Sequence, residues 1–306
     1  MRENVFKKSF ATLMLIILCF SFICIGNFSV AGEESYNQVT ANPINLKEKS
    51  SFLPLNNPTS FSVTQSYTNS KNYTNIVIPN GSNISGIIDG ISFSLQNVVE
   101  KDYTIFDTTL LNKTLLVTFG NIDRSILDYK FLDLNSNGLG EKTDITESVL
   151  KKFPKGSAER DLIKLAKQVF AYDNCFYVFD NNVIVKITTT DEYNRAVATK
   201  IEQIAKDSSF DKSTNFVFKN NKAYYLRSNQ KIVCYDVSTS TESILYPEQQ
   251  KETNLRSFDI NGDNLFFTDG TSIFKYDLKT KAVINKYPEV DIISGSIEEL
   301  HCDVAN

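Results

Sequence analysis

Along the second half of the chain, short apolar runs alternate with polar turns. Ala223 to Leu226, Ile232 to Tyr235, Leu265 to Thr268 and Ile273 to Tyr276 are four residues each. Apolar runs of that length, rich in aromatic and β-branched residues and bounded by Asn, Asp and Gly, predict strands rather than helices. The pattern also repeats. A shift of 41 residues, taken without a gap, superposes Ile232 on Ile273, Tyr235-Asp236 on Tyr276-Asp277, Thr239 on Thr280, and Tyr246-Pro247-Glu248 on Tyr287-Pro288-Glu289. In that frame Tyr224-Tyr225-Leu226 lies over Leu265-Phe266-Phe267.

Each unit follows the same order. A strand reaches a polar turn (Lys219 to Lys222; Asn261 to Asn264), and an aromatic strand follows. A second turn leads to a strand closing on Tyr-Asp, and a third turn leads to a last strand (Glu242 to Leu245; Ala282 to Asn285). Four antiparallel strands in about 40 residues is the size of one propeller blade. A third copy lies 48 residues upstream, with Cys175 to Val178 over Ala223 to Leu226 (one residue of slack) and Ile184-Val185 over Ile232-Val233. Tyr129 to Leu134 resembles the strand that closes on Tyr-Asp. The fold class expected is mainly β: a β-propeller-like array of four-stranded antiparallel blades with one or two short helical insertions.

On these residues the chain resembles bacterial β-propeller repeat proteins of the YWTD, PQQ and TolB-like kind, over Lys167 to Glu289 and more loosely over Ile76 to Lys155. It lacks the Gly-His and Trp-Asp dipeptides of WD40 blades and keeps only Tyr-Asp from the YWTD tetrad. His301 to Asn306 resembles Ser257 to Gly262, the opening strand of a further unit. The expectation is that Ile76 to Val99 lends strands to close that last blade, since an open one exposes an unpaired edge; a truncated reading frame is the alternative.

Two stretches depart from period 2. Val149, Leu150 and Phe153, then Leu162, Leu165, Ala166 and Val169, are spaced as on helices, over Thr146 to Phe153 and Ser157 to Lys167. Ser157 is placed to cap the second, with Glu159 and Asp161 in its first turn. Tyr193, Val197, Ile201 and Ile204 share the spacing, so a helix is expected over Asp191 to Lys206.

The N-terminus carries Arg2, Lys7 and Lys8, an apolar run from Phe10 to Ile25, and Ser29-Val30-Ala31. That is the layout of an export signal cleaved after residue 31, with an apolar run too short for a membrane span. Residues 32–75, rich in Asn, Ser and Thr with Pro43, Pro54 and Pro58, are expected to be a flexible linker, and 76–306 the propeller-like domain. The product is expected outside the cell, secreted and bacterial, with no membrane span after cleavage. Losing Arg2, Lys7, Lys8 and Glu3 takes the net charge from −4 to −6. That sign disfavours nucleic acid as a partner. Cys175, Cys234 and Cys302 are too few for a disulfide framework and are expected to be free thiols. With one histidine, His301, catalytic triads and multi-histidine zinc sites need that residue.

One stretch has the spacing of a cation loop. Asp133, Asn135, Asn137, Glu141 and Asp144 put oxygen-bearing side chains at positions 1, 3, 5, 9 and 12 of a twelve-residue loop, with Gly138 at 6. Calcium takes six to eight oxygens and suits such a loop. The segment resembles a single dockerin or EF-hand-like repeat. By that resemblance Asp133, Asn135, Asn137 and Asp144 would be side-chain ligands of Ca2+, and Leu139 a carbonyl ligand. A dockerin has two repeats, and position 5 here is Asn rather than Asp. A plain interstrand turn is the competing reading, because Asp133 also fills the Tyr-Asp slot. Gly138 to Thr143 is not a phosphate loop, since Glu141 stands where glycine must precede Lys-Thr. Asp259 and Asp303 occupy equivalent strand positions, which keeps open a glycan hydrolase with paired carboxylates. The function expected is that of an exported, non-catalytic binding protein for a protein or surface polysaccharide. A glycan-active hydrolase and a calcium-dependent assembly protein are the alternatives.

Overall fold

The computed structural model describes residues 62–287, apart from 69–70, 122, 124, 135–140, 165, 181, 208–209, 211–212, 229 and 248–253. The expected signal peptide, most of the expected linker, and His301 to Asn306 lie outside the described residues. Among the described residues, twenty strands form five four-stranded antiparallel sheets arranged as the blades of a propeller. Blade 1 holds β1 (Ser62–Thr68), β2 (Lys71–Asn80), β3 (Asn83–Ile88) and β4 (Ile91–Leu95). Blade 2 holds β5 (Thr104–Leu111), β6 (Thr114–Gly120), β7 (Leu127–Leu134) and β8 (Lys142–Asp144). Blade 3 holds β9 (Gln168–Tyr172), β10 (Cys175–Asp180), β11 (Val183–Glu192) and β12 (Arg195–Lys206). Blade 4 holds β13 (Ser213–Lys219), β14 (Lys222–Arg227), β15 (Lys231–Asp236) and β16 (Thr241–Tyr246). Blade 5 holds β17 (Ser257–Asn261), β18 (Asn264–Thr268), β19 (Ile273–Asp277) and β20 (Ala282–Tyr287). Between blades 2 and 3 stand two short helices, α1 (Thr146–Val149) and α2 (Ala158–Ile163).

A blade is apolar on both faces, so it hides its side chains only against its neighbours. Four apolar clusters do this between consecutive blades. Val77, Ile84 and Leu95 of blade 1 meet Ile105, Leu115 and Leu132 of blade 2. Phe131 of blade 2 meets Phe176 of blade 3 edge to face at 5.6 Å, with Val149, Leu150 and Ile163 of the helical insertion sealing the same cluster. Tyr177 of blade 3 stacks on Phe218 of blade 4 at 4.1 Å, and Tyr246 of blade 4 packs on Phe267 of blade 5 at 4.3 Å. Each such fully buried side chain contributes roughly 1.5–3 kcal/mol relative to exposure.

The repeated Tyr-Asp pair now has a cause. Tyr235 and Tyr276 are buried, each facing the preceding blade. The aspartate that follows turns the other way and closes the next hairpin turn. Asp236 Oδ1 accepts the amides of Ser238 (2.9 Å) and Thr239 (3.3 Å), and Asp277 Oδ1 those of Lys279 (2.8 Å) and Thr280 (2.7 Å). The repeat is not gapless, however. Ala223 pairs with Tyr235 as Leu265 pairs with Tyr276, so the second strands superpose at a shift of 42 while the third keep 41. Blade 4 absorbs the difference between the paired Leu226 and Ile232, which are separated by five residues where the equivalent Thr268 and Ile273 of blade 5 are separated by four.

The same capping device makes blade 5 acid-sensitive. Burial works to raise the Asp269 carboxyl pKa, but the amides of Thr271 and Ser272 outweigh it and hold the group below its ordinary range. A depressed folded-state value gives stability that is full above the unfolded value and is lost as pH falls through the folded one. The Tm difference between wild type and Asp269→Ala is therefore expected to be full at pH 7 and to shrink steadily below pH 4. A difference unchanged at pH 2.5 would contradict the capping role.

Three expectations need correction. The linker does not run to residue 75: β1 and the start of β2 already occupy Ser62 to Asn75. Thr, Val and Tyr in that segment suit a strand, and the pairing of β1 with β2 supplies order that its low hydrophobicity concealed. Among the described residues, Ile76 to Val99 lends no strand to another blade. It is built with β1 into its own blade, because every described blade uses consecutive strands. Finally, Asp191 to Lys206 is not a helix but the end of β11, a turn at Tyr193-Asn194, and β12. Two bulges give β12 extra residues opposite Ile184/Val185 and Thr188/Thr189. Those insertions break period 2 and produce the spacing of Val197, Ile201 and Ile204 that imitates a helix. The helices expected from 146 and 157 are present but shorter, and Ser157 Oγ caps α2 by accepting the Arg160 amide at 3.3 Å. Among the described residues, Cys175 and Cys234 are free and buried.

Candidate functional site

The 133–144 segment joins β7 to β8 across the hairpin. Asn135, Asn137 and Leu139 lie outside the described residues; Asp133, Glu141 and Asp144 lie within them. Asp133 is cross-strand partner to Thr143, and Asp144 to Leu132. Partners share a face and neighbours along a strand alternate, so the Asp133 and Asp144 carboxylates leave opposite faces of the blade. Each is already engaged. Asp133, buried, receives Arg195 Nη2 of blade 3 at 2.6 Å. Asp144 Oδ1 accepts both the amide (2.9 Å) and the hydroxyl (2.7 Å) of Thr146 at the start of α1. Glu141 is exposed. Lys142 points back to blade 1, donating to the carbonyls of Gln96 (2.8 Å) and Asn97. Burial of its ammonium, then the nearby Lys130, lowers its pKa. The flanks of the loop thus tie blade 2 to blades 1 and 3.

This arrangement does not bring the first and last oxygen donors together. Adding millimolar calcium, or EDTA, is accordingly expected to move the Tm by less than a degree. A site saturated a hundredfold over its Kd would add about 2.7 kcal/mol, or roughly 5–10 °C for a domain of this size, and a rise of that kind would support the calcium reading.

The second candidate region is the set of first strands, which lie side by side from blade to blade: β1 and β2 beside β5, β5 beside β9, β9 beside β13, and β13 beside β17. A hydrolase would carry its acid pair here. Asp107 on β5 is buried, its Oδ1 accepting the Thr108 amide (2.8 Å) and its Oδ2 the Val169 amide of blade 3 (2.9 Å). Asp259 on β17 accepts the Ile260 amide at 2.6 Å; Asp303 lies outside the described residues. The bridging by Asp107 is repeated by different chemistry further round. Gln168 Oε1 of β9 accepts the Phe216 amide of β13 (3.2 Å), and Asn215 Nδ2 of β13 donates to the Arg256 carbonyl of blade 5 (2.8 Å). The polar residues of the first strands hold one blade to the next.

Sequence reasoning missed three groups. Arg160 on α2 is buried, with Nη1 and Nη2 each 3.1 Å from a Glu147 oxygen and Nε 3.3 Å from the Tyr129 hydroxyl, so it pins both helices to β7. Asp107 was unmarked because nothing in Phe-Asp-Thr distinguishes an interblade acceptor from a turn acid. Tyr193 was assigned to a helix face, whereas it is 97% exposed at a hairpin tip.

No protein-family model matches the chain, and neither does any curated protein. Among solved structures, the computationally designed Ika8 protein matches over 79% of this chain and 78% of its own, at 11% identity and a TM-score of 0.44. Among the described residues no helix is long and apolar enough to cross a membrane, and no three His, Cys, Asp or Glu residues cluster as metal ligands.

Proposed function

We propose that this protein is an exported, non-catalytic binding protein of the cell surface or extracellular space, built on blades akin to those of the YWTD, PQQ and TolB-like propellers. The observation that carries this reading is the use made of the first-strand polar groups. Asp107, Gln168 and Asn215 hydrogen-bond the backbone of the next blade, which stiffens the array. A rigid frame with variable turns suits recognition, because little conformational freedom is lost on binding. The N-terminal charge and apolar pattern supports export.

The test is sedimentation of the purified protein with isolated bacterial cell-wall material, with soluble reducing sugar measured alongside. Association without sugar release is expected. Sugar release above background would overturn the reading in favour of the hydrolase, and failure to associate with wall polymer or wall protein would overturn it outright.

A further inference from the structure

Tyr193 has a positive φ, where the other described residues of that kind, Lys281 apart, are Asn, Asp, Ser or Gly. Thirteen described non-glycine residues have positive φ; nine are Asn or Asp and two are Ser, while Tyr193 (φ 58°) is the aromatic one. With Asn194 (φ 63°) it forms the two-residue connection between β11 and β12. Asn, Asp or Gly is favoured in such a connection, and a bulky side chain at positive φ is disfavoured. At 97% exposure the ring also gains no packing that would offset this. A conformation that costs stability and supplies no internal contact points outward, to a ligand.

The tip is nevertheless held in place. The Lys113 amide donates to the Asn194 carbonyl (3.4 Å), and the Ala196 amide to Thr114 Oγ1 (2.9 Å). Arg195 pairs with Asp133 (2.6 Å), and Glu192 with Lys151 (2.8 Å). Glu192 and Arg195 are thereby paired, the Asn112-Lys113 turn lies against Asn194, and the two other charged residues at the tip, Asp191 and Lys113, are of opposite sign. What the tip offers beside the tyrosine is amide hydrogen-bonding capacity and charges that sum to zero. An aromatic face takes up the C–H face of a sugar ring, and amides match its hydroxyls. A flat, hydroxyl-rich, uncharged chain fits this surface better than an anionic polymer does.

We propose that Tyr193 is a stacking platform for an uncharged polysaccharide, presented on a hairpin that blade 2 holds rigid. This rests on the binding-protein reading above and names its ligand and its contact. The experiment is retention of the purified protein on cellulose, chitin and insoluble β-1,3-glucan, with polygalacturonate as the anionic comparison and reducing-sugar release followed throughout. Wild type is expected to be retained on at least one uncharged polymer. Tyr193→Asn, which suits the backbone, is expected to weaken retention at least tenfold while its Tm stays level or rises, and Tyr193→Trp to retain binding. Equal retention of Tyr193→Asn would overturn the placement and leave the binding-protein reading standing. Retention on polygalacturonate alone, or on none of these polymers, would overturn the ligand class. So would a photo-crosslinking residue at 193 that captures a protein on cells. Sugar release would instead sink the underlying reading.

Discussion

Phe210→Ala is expected to cost about 3–5 kcal/mol, the range for deleting a buried phenylalanine ring. Phe210 lies on the connection from β12 to β13, not on a strand, yet its side chain is wholly buried. Its ring stands edge-on to Tyr235 at 5.0 Å, Tyr225 at 5.5 Å and Phe216 at 6.3 Å. Those partners belong to blade 4, and the cluster they share also holds Tyr177, Phe179 and Ile184 of blade 3. Truncation leaves a void bounded by rigid strands, which have little freedom to collapse into it. Urea unfolding should show a lower midpoint at unchanged slope, with Tm down by roughly 10 °C for a domain of this size. A loss under about 1 kcal/mol would mean the ring does not occupy the interblade core. Phe210→Leu, which keeps most of the volume, should lose much less.

Asp107→Ala ranks second, at about 2–3 kcal/mol, because it strips the acceptor from a buried amide. The carboxylate takes the Thr108 and Val169 amides together, and alanine returns nothing to Val169. Asp107→Asn keeps one oxygen and should cost about half as much. Hydrogen exchange separates this from general loosening. The Val169 amide should lose protection in Asp107→Ala well before the amides of β10 do, and uniform loss across blades 2 and 3 would contradict the bridging role.

These two residues also mark how far the sequence was legible. Blades 4 and 5 could be read because two copies of one strand-and-turn order lie nearly in register, with blade 3 a looser third, and because the Tyr-Asp pair has a single cause in both: a tyrosine packed on the preceding blade and an aspartate closing a turn. Phe210 could not be read, since it sits alone in Lys206-Asp-Ser-Ser-Phe-Asp-Lys, where no periodicity operates. Asp107 was equally silent, because its acceptor role depends on an amide 62 residues away. The reading failed at β12 for a different reason: bulges change the period of a strand, and period is the one signal available there. The first strand of blade 1 and the start of its second were missed through composition, as Ser, Thr and Gln in β1 looked like linker until pairing with β2 gave them a place. For the 133–144 loop the spacing of oxygen donors was correct as spacing. What spacing cannot convey is that a ladder register sends Asp133 and Asp144 to opposite sides.

That every described blade is made of four successive strands has a bearing on how the molecule comes into being. Most pairings join residues close together in the chain, so loop closure costs little and contact order stays low for an all-β protein. Each sheet can be completed once some forty residues have emerged, then serve as the template on which the following one condenses. Assembly in order of emergence keeps few sticky edges waiting at any moment.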